Sequence, residues 1–355
     1  MEKYMNTIIE RNMKYLENIY RKGPFQGHGF FCMPNYFTRS DYPKDDYTIS
    51  SEPVTRWIPP LVDHYRKHME FVETVGDHSV PTVKLMTGTH IYAAAFGCKV
   101  HRFEGSNPAA LPLVHSAEEA DSLPEPDIWK SPTLCRIFEL AEALQKELGP
   151  DVPFGPPDMQ TGFDTAAIVW NKEDFFCAMI SEPDAVKRLV AKCATLFSKF
   201  LCELRKEFPN MSPAHCPTTW APPKMGPWLS NDECGAFNEE MFQEFCLPEL
   251  IALSKSFGGL GMHCCAAAEH QFEAFKEIPD FYAFNRVRAG GKGFEPSVKS
   301  FGDSKGPVLS LAWLDDKTIT SLIRNSPPTT RFIFHGSFDT SEQAKSWFAR
   351  MSAIG

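Results

Sequence analysis

The amino-acid sequence predicts an α/β fold, a single (β/α)8 TIM barrel that spans residues 1–355 as one domain. Short apolar runs alternate with amphipathic helical stretches, a pattern typical of parallel strands joined by crossover helices. There are eight such runs in a chain of 355 residues, which is the number and size that this barrel requires. No linker-like segment separates two halves of the chain.

The strands are the most regular part of this pattern. Each apolar run is short and is followed by turn residues. The charged segment before the first run is predicted to be an N-terminal helical extension. The predicted strands lie near residues 27–34, 80–88, 152–159, 227–232, 258–264, 280–285, 308–313 and 331–336.

Three of the intervening segments show clear helical signals. Residues 182–208 carry apolar side chains at helical spacing with charges between them. Residues 238–257 begin with a cap-like Asn238 and an acidic first turn, and Pro248 should kink or divide this helix. Residues 340–351 are predicted to form the last helix, capped by Thr340 or by the serine after it.

Composition and charge exclude several classes of function. The chain has 23% charged residues and a net charge of −9, without a basic block, which argues against nucleic acid or an anionic membrane as the main partner. The N-terminal segment lacks the apolar core of a signal peptide, and no run is long enough to span a bilayer. We therefore expect a cytoplasmic protein whose 11 cysteines are mostly free thiols.

A histidine and two cysteines follow one another at the end of the fifth predicted strand, in "GGLGMHCC". In an extended backbone alternate side chains face the same way, so His263 and Cys265 share a target while Cys264 faces away. Imidazole and thiolate together suit Zn²⁺. The alternative is that the cysteines are ordinary core thiols.

A catalytic zinc site needs a third protein ligand from elsewhere in the chain. His335 is the candidate, since it ends the last predicted strand and a barrel brings its strand ends together around one mouth. Otherwise His335 is a hydrogen-bonded structural histidine. Other polar residues at predicted strand ends are His28, Thr87, Asp158, Asp232 and Asn285.

Long stretches of the chain resemble one known superfamily. These are "WNKEDFFCAMISEPDAVKRLV", "LSNDECGAFNEEMFQEFCLPELIALSKSFGGLGMHCC" and residues 88–127, which begin "GTHIYAAAFGCKVHRFEG". The order of elements is similar to that of the uroporphyrinogen decarboxylase superfamily, which implies a (β/α)8 barrel. One branch decarboxylates the acetate arms of uroporphyrinogen without a cofactor. The other transfers methyl groups between a corrinoid protein and a thiol, using zinc.

The two branches make different demands on this sequence. The decarboxylase branch grips substrate carboxylates with arginines after its first strand, where this chain has only Arg39. Its catalytic aspartate and histidine are matched by Asp232 in "NDECG" and His335 in "FHG". The methyltransferase branch carries His-x-Cys at the fifth strand, matched by His263 and Cys265.

The match to the methyltransferase branch is incomplete at one position. That branch takes its third zinc ligand from a late cysteine, and no cysteine follows Cys265 here. The resemblance therefore implies Zn²⁺ on His263 and Cys265 with His335, or less favourably Asp339, as substitute. The resemblance also implies that Asp232 and His335 are catalytic residues.

Residues at other strand ends are expected to bind the substrate. Asp158 and Gln160 follow the third strand, and Asn285 and Arg286, with Arg288, follow or end the sixth. The expected partners are a corrinoid-binding protein, a small thiol or methyl donor, and a second copy of the chain in a homodimer.

Three functions remain open at this point. The first is zinc-assisted methyl transfer between a corrinoid and a thiol. The second is a metal-free lyase resembling uroporphyrinogen decarboxylase, using Asp232 and His335. The third is a non-catalytic protein that binds a tetrapyrrole or a partner.

Overall fold

Parallel strands form the central layer of the fold. The computed structural model describes residues 2–35, 46–104, 106–217, 219–287 and 293–354, with side chains from residue 7 onward. The strands are β1 (Gly29–Pro34), β2 (Val83–Lys84), β3 (Val100–His101), β4 (Ala109–Ala110), β5 (Phe154–Gly155), β6 (Trp228–Ser230), β7 (Leu260–Cys264), β8 (Phe281–Arg286), β9 (Val308–Ala312) and β10 (Phe332–Phe338).

Helices alternate with these strands along the chain. Short 3₁₀ turns lie at Val54–Arg56, Ile128–Lys130, Glu233–Ala236 and Glu269–Gln271. The α-helices are α1 (Glu2–Tyr20), α2 (Ile58–Val75), α3 (His90–Ala95), α4 (Ala117–Ser122), α5 (Pro132–Leu148), α6 (Gly162–Val169), α7 (Lys172–Ser181), α8 (Pro183–Glu207), α9 (Glu239–Phe245), α10 (Leu247–Phe257), α11 (Phe272–Phe275), α12 (Glu295–Phe301), α13 (Asp316–Asn325) and α14 (Ser341–Ser352).

All eight predicted strands are present, but they do not form one continuous ring. Six pair in the order β1-β10-β9-β8-β7-β6, and every pairing is parallel. The strands β2 and β5 form a separate parallel pair, linked towards β6 by a bridge between Gln160 and Ser230. Among the described residues the ladders leave this α/β barrel-like sheet unclosed, so the prediction of a parallel α/β sheet is confirmed and a closed (β/α)8 barrel is not.

The predicted helices are confirmed closely. Helix α8 covers the predicted segment, and its buried residues recur at helical spacing. Asn238 caps α9 by accepting a hydrogen bond from the Met241 N–H, and Pro248 stands in the first turn of α10. Thr340 caps α14 in the same way, through the Gln343 N–H.

The inner face of the sheet changes from apolar to polar along the strands. Near the strand starts Trp228, Ala283, Val308 and Ile333 form one buried cluster, and α1 contributes Leu16, Ile19 and Tyr20 to it. Two residues further on, these four strands carry the polar residues Ser230, Asn285, Ser310 and His335, and the neighbouring strand β7 carries His263 at the same level. Because side chains two apart on a strand share a face, a polar layer lies above an apolar floor.

The helices carry no sign of a bilayer-spanning segment. None of those in the described ranges combines the length and the apolar character needed to cross a membrane.

Candidate metal centre

The polar layer brings residues from neighbouring strands to one level. Ser230 lies beside His263, His263 beside Asn285, and Asn285 beside Ser310 in the parallel register. In-register neighbours of a parallel sheet point to the same side. These side chains therefore converge on the carboxyl end of the sheet, where barrels of this class place their active sites.

Three side chains in this region offer ligand atoms for one metal ion. One atom each from Asp232, His263 and Cys265 lies within 4.8 Å of the other two. His263 Nε2 lies 4.0 Å from Asp232 Oδ1. His263 is buried, whereas Cys265 is exposed, so the group lies at the edge of the interior. We call these three residues the trio.

Backbone hydrogen bonds hold Asp232 next to Cys265. The Cys265 N–H donates to Asp232 Oδ1 over 2.7 Å. The buried carboxylate of Asp164 in turn accepts from the N–H of Asp232 at 2.6 Å and of Glu233 at 3.2 Å. Burial raises the pKa of Asp164 well above its usual value, and the charge of Asp232 adds to this. These contacts hold the loop after β6, which carries Asp232, against the loop after β7, which carries Cys265.

The hydrogen bond to Asn285 determines which ring nitrogen of His263 has a lone pair for a metal ion. Its side-chain amide donates to the Ser310 carbonyl at 2.7 Å, which leaves Oδ1 to accept from His263 Nδ1 at 2.6 Å. A neutral imidazole that donates through Nδ1 presents its lone pair at Nε2. That nitrogen is the one facing Asp232, as a metal ligand requires.

The geometry of the trio fits Zn²⁺. A tetrahedral zinc ion separates nitrogen and oxygen ligands by about 3.4 Å, given bonds near ~2.1 Å. The 4.0 Å between His263 Nε2 and Asp232 Oδ1 exceeds this value by about 0.6 Å. One imidazole, one thiol and one carboxylate are all ligand types that zinc accepts.

The two adjacent cysteines have different surroundings, as the alternation predicted. Cys264 is fully buried, and its Sγ lies 3.8 Å from the Sγ of Cys234. Cys265 belongs to the trio, and partial burial and the nearby Asp232 carboxylate raise the pKa of its thiol. Without a cation at this position Cys265 is therefore a neutral thiol.

His335 is not a member of the trio. Its Nε2 lies 2.9 Å from Ser310 Oγ, and its ring packs edge-on against Phe31. Strand β10 also continues past it to Phe338, so His335 does not end the strand. Burial lowers its pKa to about 4, which keeps the ring neutral. The alternative ligand Asp339 accepts a hydrogen bond from Asn35 instead.

The side chain of Arg286 makes its contacts inside the fold and not at the carboxyl end of the sheet, where the trio lies. Its guanidinium donates to the Ala266 carbonyl at 2.6 Å and forms an ion pair with Glu269. The residue is 2% exposed and pairs in register with Cys264, so it shares the outer face of the sheet with that residue. The expectation that it binds substrate therefore conflicts with its position. Arg39 and Arg288 lie outside the described residues.

Asp158 lies close enough to the trio for its carboxyl group to interact with the charge of Asp232, and its Oδ2 lies 3.9 Å from His215 Nε2. Gln160 Nε2 donates to Asp158 Oδ1 at 2.7 Å. Burial raises the pKa of Asp158 to about 7, opposed by that hydrogen bond and reinforced by Asp232. A carboxyl group with this pKa exchanges a proton readily near neutral pH.

Two functional candidates of this region, His215 and Cys216, were missed by the sequence analysis. His215 bonds to the Trp228 carbonyl at 2.8 Å and to Ser230 Oγ at 3.1 Å, and burial lowers its pKa to about 3. Cys216 Sγ lies 3.7 Å from His263 Nε2. Burial, with Asp158 and Asp232 nearby, raises the pKa of Cys216 to about 12. Their only signal was a His-Cys pair just before a predicted strand.

Comparison with known proteins agrees with the predicted resemblance. The family model for uroporphyrinogen decarboxylase (URO-D) matches residues 72–210. Among solved structures, a methyltransferase from Methanosarcina mazei aligns over 97% of this chain and 98% of its own, with a TM-score of 0.65 and 11% sequence identity. No curated protein matches significantly.

These findings confirm that the chain resembles the uroporphyrinogen decarboxylase superfamily. At 11% identity the structural neighbour shows a shared fold alone. The family match ends at residue 210, before Asp232, His263 and Cys265.

Proposed function

We propose that this protein is a zinc-dependent methyltransferase that moves a methyl group between a corrinoid and a small thiol. The observation that carries the proposal is the trio: Asp232, His263 and Cys265 present three ligand atoms within 4.8 Å of one another. Three protein ligands with a fourth position open is the arrangement of a catalytic zinc site. In this proposal Asp232 replaces His335 as the third ligand.

Each residue of the trio, together with Asn285, has a role in this proposal. His263 binds through Nε2, and Asn285 holds the ring and its tautomer from the opposite side. Asp232 and Cys265 bind through Oδ1 and Sγ. When bound, Zn²⁺ would keep an acceptor thiol ionised at neutral pH while it remains nucleophilic.

The acceptor thiol must transfer its proton to another group when it becomes a thiolate. Asp158 is the group in this region whose pKa of about 7 suits it to accept a proton and release it to water. Gln160 orients the carboxyl group by hydrogen bonding to Oδ1. The thiolate sulfur then forms a bond to the methyl carbon, and the cobalt–carbon bond of the corrinoid breaks with its electron pair retained by cobalt.

Decarboxylation is the second candidate, and the family match supports it. It requires cationic groups that hold several substrate carboxylates, for which bidentate arginine is hard to replace. Arg286 does not serve, because Glu269 and the Ala266 carbonyl occupy its guanidinium. His335, the proposed acid–base partner in that reaction, bonds to Ser310. Methyl transfer therefore uses the whole trio, whereas decarboxylation without a metal uses only Asp232 of it.

The partners follow from the reaction. The corrinoid would be presented by a separate corrinoid-binding protein, in the reducing environment of the cytoplasm, where the thiols stay free. A homodimer is compatible with this proposal but not required by it.

A spectroscopic assay of methyl transfer tests the proposal. The purified, zinc-loaded protein is mixed anaerobically with methylcobalamin and 2-mercaptoethanol, and demethylation of the corrinoid is followed by absorbance. We expect turnover that falls at least about 100-fold in Cys265→Ser, because a zinc ligand is lost. The exposed Cys177→Ser variant is the matched control and should retain turnover. Release of CO₂ from uroporphyrinogen without demethylation would contradict the proposal and favour the lyase.

A further inference from the structure

The thiol of Cys216 approaches the metal centre from a loop that belongs to none of the trio's strands. The loop follows α8 and leads into β6. Cys216 Sγ lies 3.7 Å from His263 Nε2, and Cys216 is partly exposed. The loop is anchored beside it, since His215 contacts both the Trp228 carbonyl and Ser230 Oγ.

The separation between Cys216 and His263 is that of two ligands on one ion. A tetrahedral zinc ion with a nitrogen at ~2.1 Å and a sulfur at ~2.3 Å separates these atoms by about 3.6 Å. The observed distance is 3.7 Å. Cys216 therefore meets this condition more closely than Asp232, whose Oδ1 lies 4.0 Å from the same nitrogen.

The lone pair of His263 Nε2 serves only one partner at a time. In the present geometry the Cys216 thiol is placed to donate a hydrogen bond to it. Since Asn285 accepts from Nδ1, Nε2 is the nitrogen left to bind a metal. A metal on Nε2 displaces this hydrogen bond and leaves the Cys216 sulfur beside the ion.

We propose that Cys216 is a second sulfur ligand of the resting zinc centre and is displaced by the incoming acceptor thiol. This inference rests on the proposed function. On binding, Cys216 loses its proton to solvent. On displacement, the proton that the acceptor thiol gives to Asp158 passes through water to the Cys216 sulfur, and the acceptor sulfur takes the position that Cys216 leaves. A loop cysteine thus supplies the sulfur that no late cysteine provides.

With Cys216 as the fourth ligand, the metal position that the trio leaves open would be occupied until an acceptor thiol binds. With Cys216 bound, the resting centre has four protein ligands: two sulfurs, one nitrogen and one oxygen. With the acceptor bound, the numbers of sulfur and other ligands are unchanged. The exchange therefore involves little change in charge at the metal.

X-ray absorption at the zinc edge tests this directly on the full-length, zinc-loaded protein. We expect two sulfur neighbours in the wild type and one in Cys216→Ser, with about one zinc per chain in both. Cys202→Ser, which removes another exposed thiol, is the matched control and should retain two. Adding 2-hydroxyethaneselenol should introduce one selenium neighbour and reduce the sulfur count to one.

Each outcome decides a separate claim. One sulfur neighbour in the wild type, with zinc bound, would overturn the role of Cys216 and leave the proposed function standing. Two sulfur neighbours that persist beside selenium would overturn the displacement. Protein that binds no zinc would overturn both proposals. The wild-type spectrum alone decides the ligand count if Cys216→Ser does not fold.

Discussion

His263 and Asn285 lie next to each other on neighbouring strands, with Nδ1 of the histidine 2.6 Å from Oδ1 of the asparagine. This contact fixes which nitrogen of His263 faces Asp232. A metal ligand held in this way from behind is more basic and better oriented. In the proposed metal centre, Asn285 would therefore orient a ligand without binding the ion itself.

Replacing Asn285 should weaken the metal centre without removing a ligand. We expect Asn285→Ala to lower zinc affinity about 10–100-fold, because the tautomer and the orientation of His263 are no longer fixed. Competition with a chelator of known affinity measures this. Asn325→Ala, which removes an exposed asparagine on α13, is the control and should bind zinc normally. Equal affinity in both variants would show that Asn285 has no such role.

The role of Asp232 can be tested by an isosteric change. Asp232→Asn keeps an oxygen for the Cys265 N–H but removes the negative charge. We expect zinc affinity to fall by more than about 100-fold, beyond the usual effect of an outer-shell residue. Asp316→Asn breaks a surface pair with Arg350 and serves as the control. If His335→Gln abolished zinc binding and Asp232→Asn did not, His335 would be the third ligand instead.

The ion pair between Arg286 and Glu269 should matter for stability. Arg286 is buried, and its removal leaves Glu269 without its cation. We expect Arg286→Met to lower the free energy of unfolding by about 3–5 kcal/mol. The double variant Arg286→Met with Glu269→Leu should recover most of this loss. Denaturant titration measures both, and an unchanged midpoint for the single variant would show that the pair contributes nothing.

Buried neutral histidines should make the fold sensitive to acid. Burial lowers the pKa of His68 to about 3 and that of His28 to about 4, both below the ordinary value of 6.5. The unfolded chain therefore binds more protons, and stability is full above pH 6.5 and lost as the pH falls towards these values. Each histidine should cost about 2 kcal/mol between pH 7 and pH 5.

The test compares unfolding at these two pH values. His68→Gln should show a smaller loss of unfolding free energy between pH 7 and pH 5 than the wild type, by about 2 kcal/mol. His101→Gln, which changes an exposed histidine, should behave like the wild type. A pH dependence that is unaltered in His68→Gln would mean that His68 is protonated in the folded protein.

The strands and helices were predictable because their signals are local. Apolar runs bounded by turn residues located all eight strands, and Asn238 and Pro248 marked where α9 begins and where α10 follows it. Strand alternation also predicted that the side chains of His263 and Cys265 point to the same side and that Cys264 points away from them. What local signals did not provide was closure: β2 and β5 are two residues long each, and their pairing depends on contacts across the whole chain.

The composition of the candidate metal site was only partly predictable. His263, Cys265 and Asp232 were each identified, but that Asp232 meets the other two depends on the loop after β6, which Asp164 holds. His335 was expected at a strand end, yet β10 continues beyond it. Arg286 follows Asn285 directly, so strand alternation places it on the opposite face. The His-Cys pair at His215 and Cys216 was a weak local signal, since only the folded loop brings Cys216 to His263.

The zinc content of the purified protein tests the central claim most directly. The protein is prepared without chelators and measured by inductively coupled plasma mass spectrometry, beside Cys265→Ala and the control Cys177→Ala. We predict about one zinc per chain in the wild type and the control, and little in Cys265→Ala. Metal-free wild-type protein that also fails to take up added zinc, or zinc that remains in Cys265→Ala, would contradict the account.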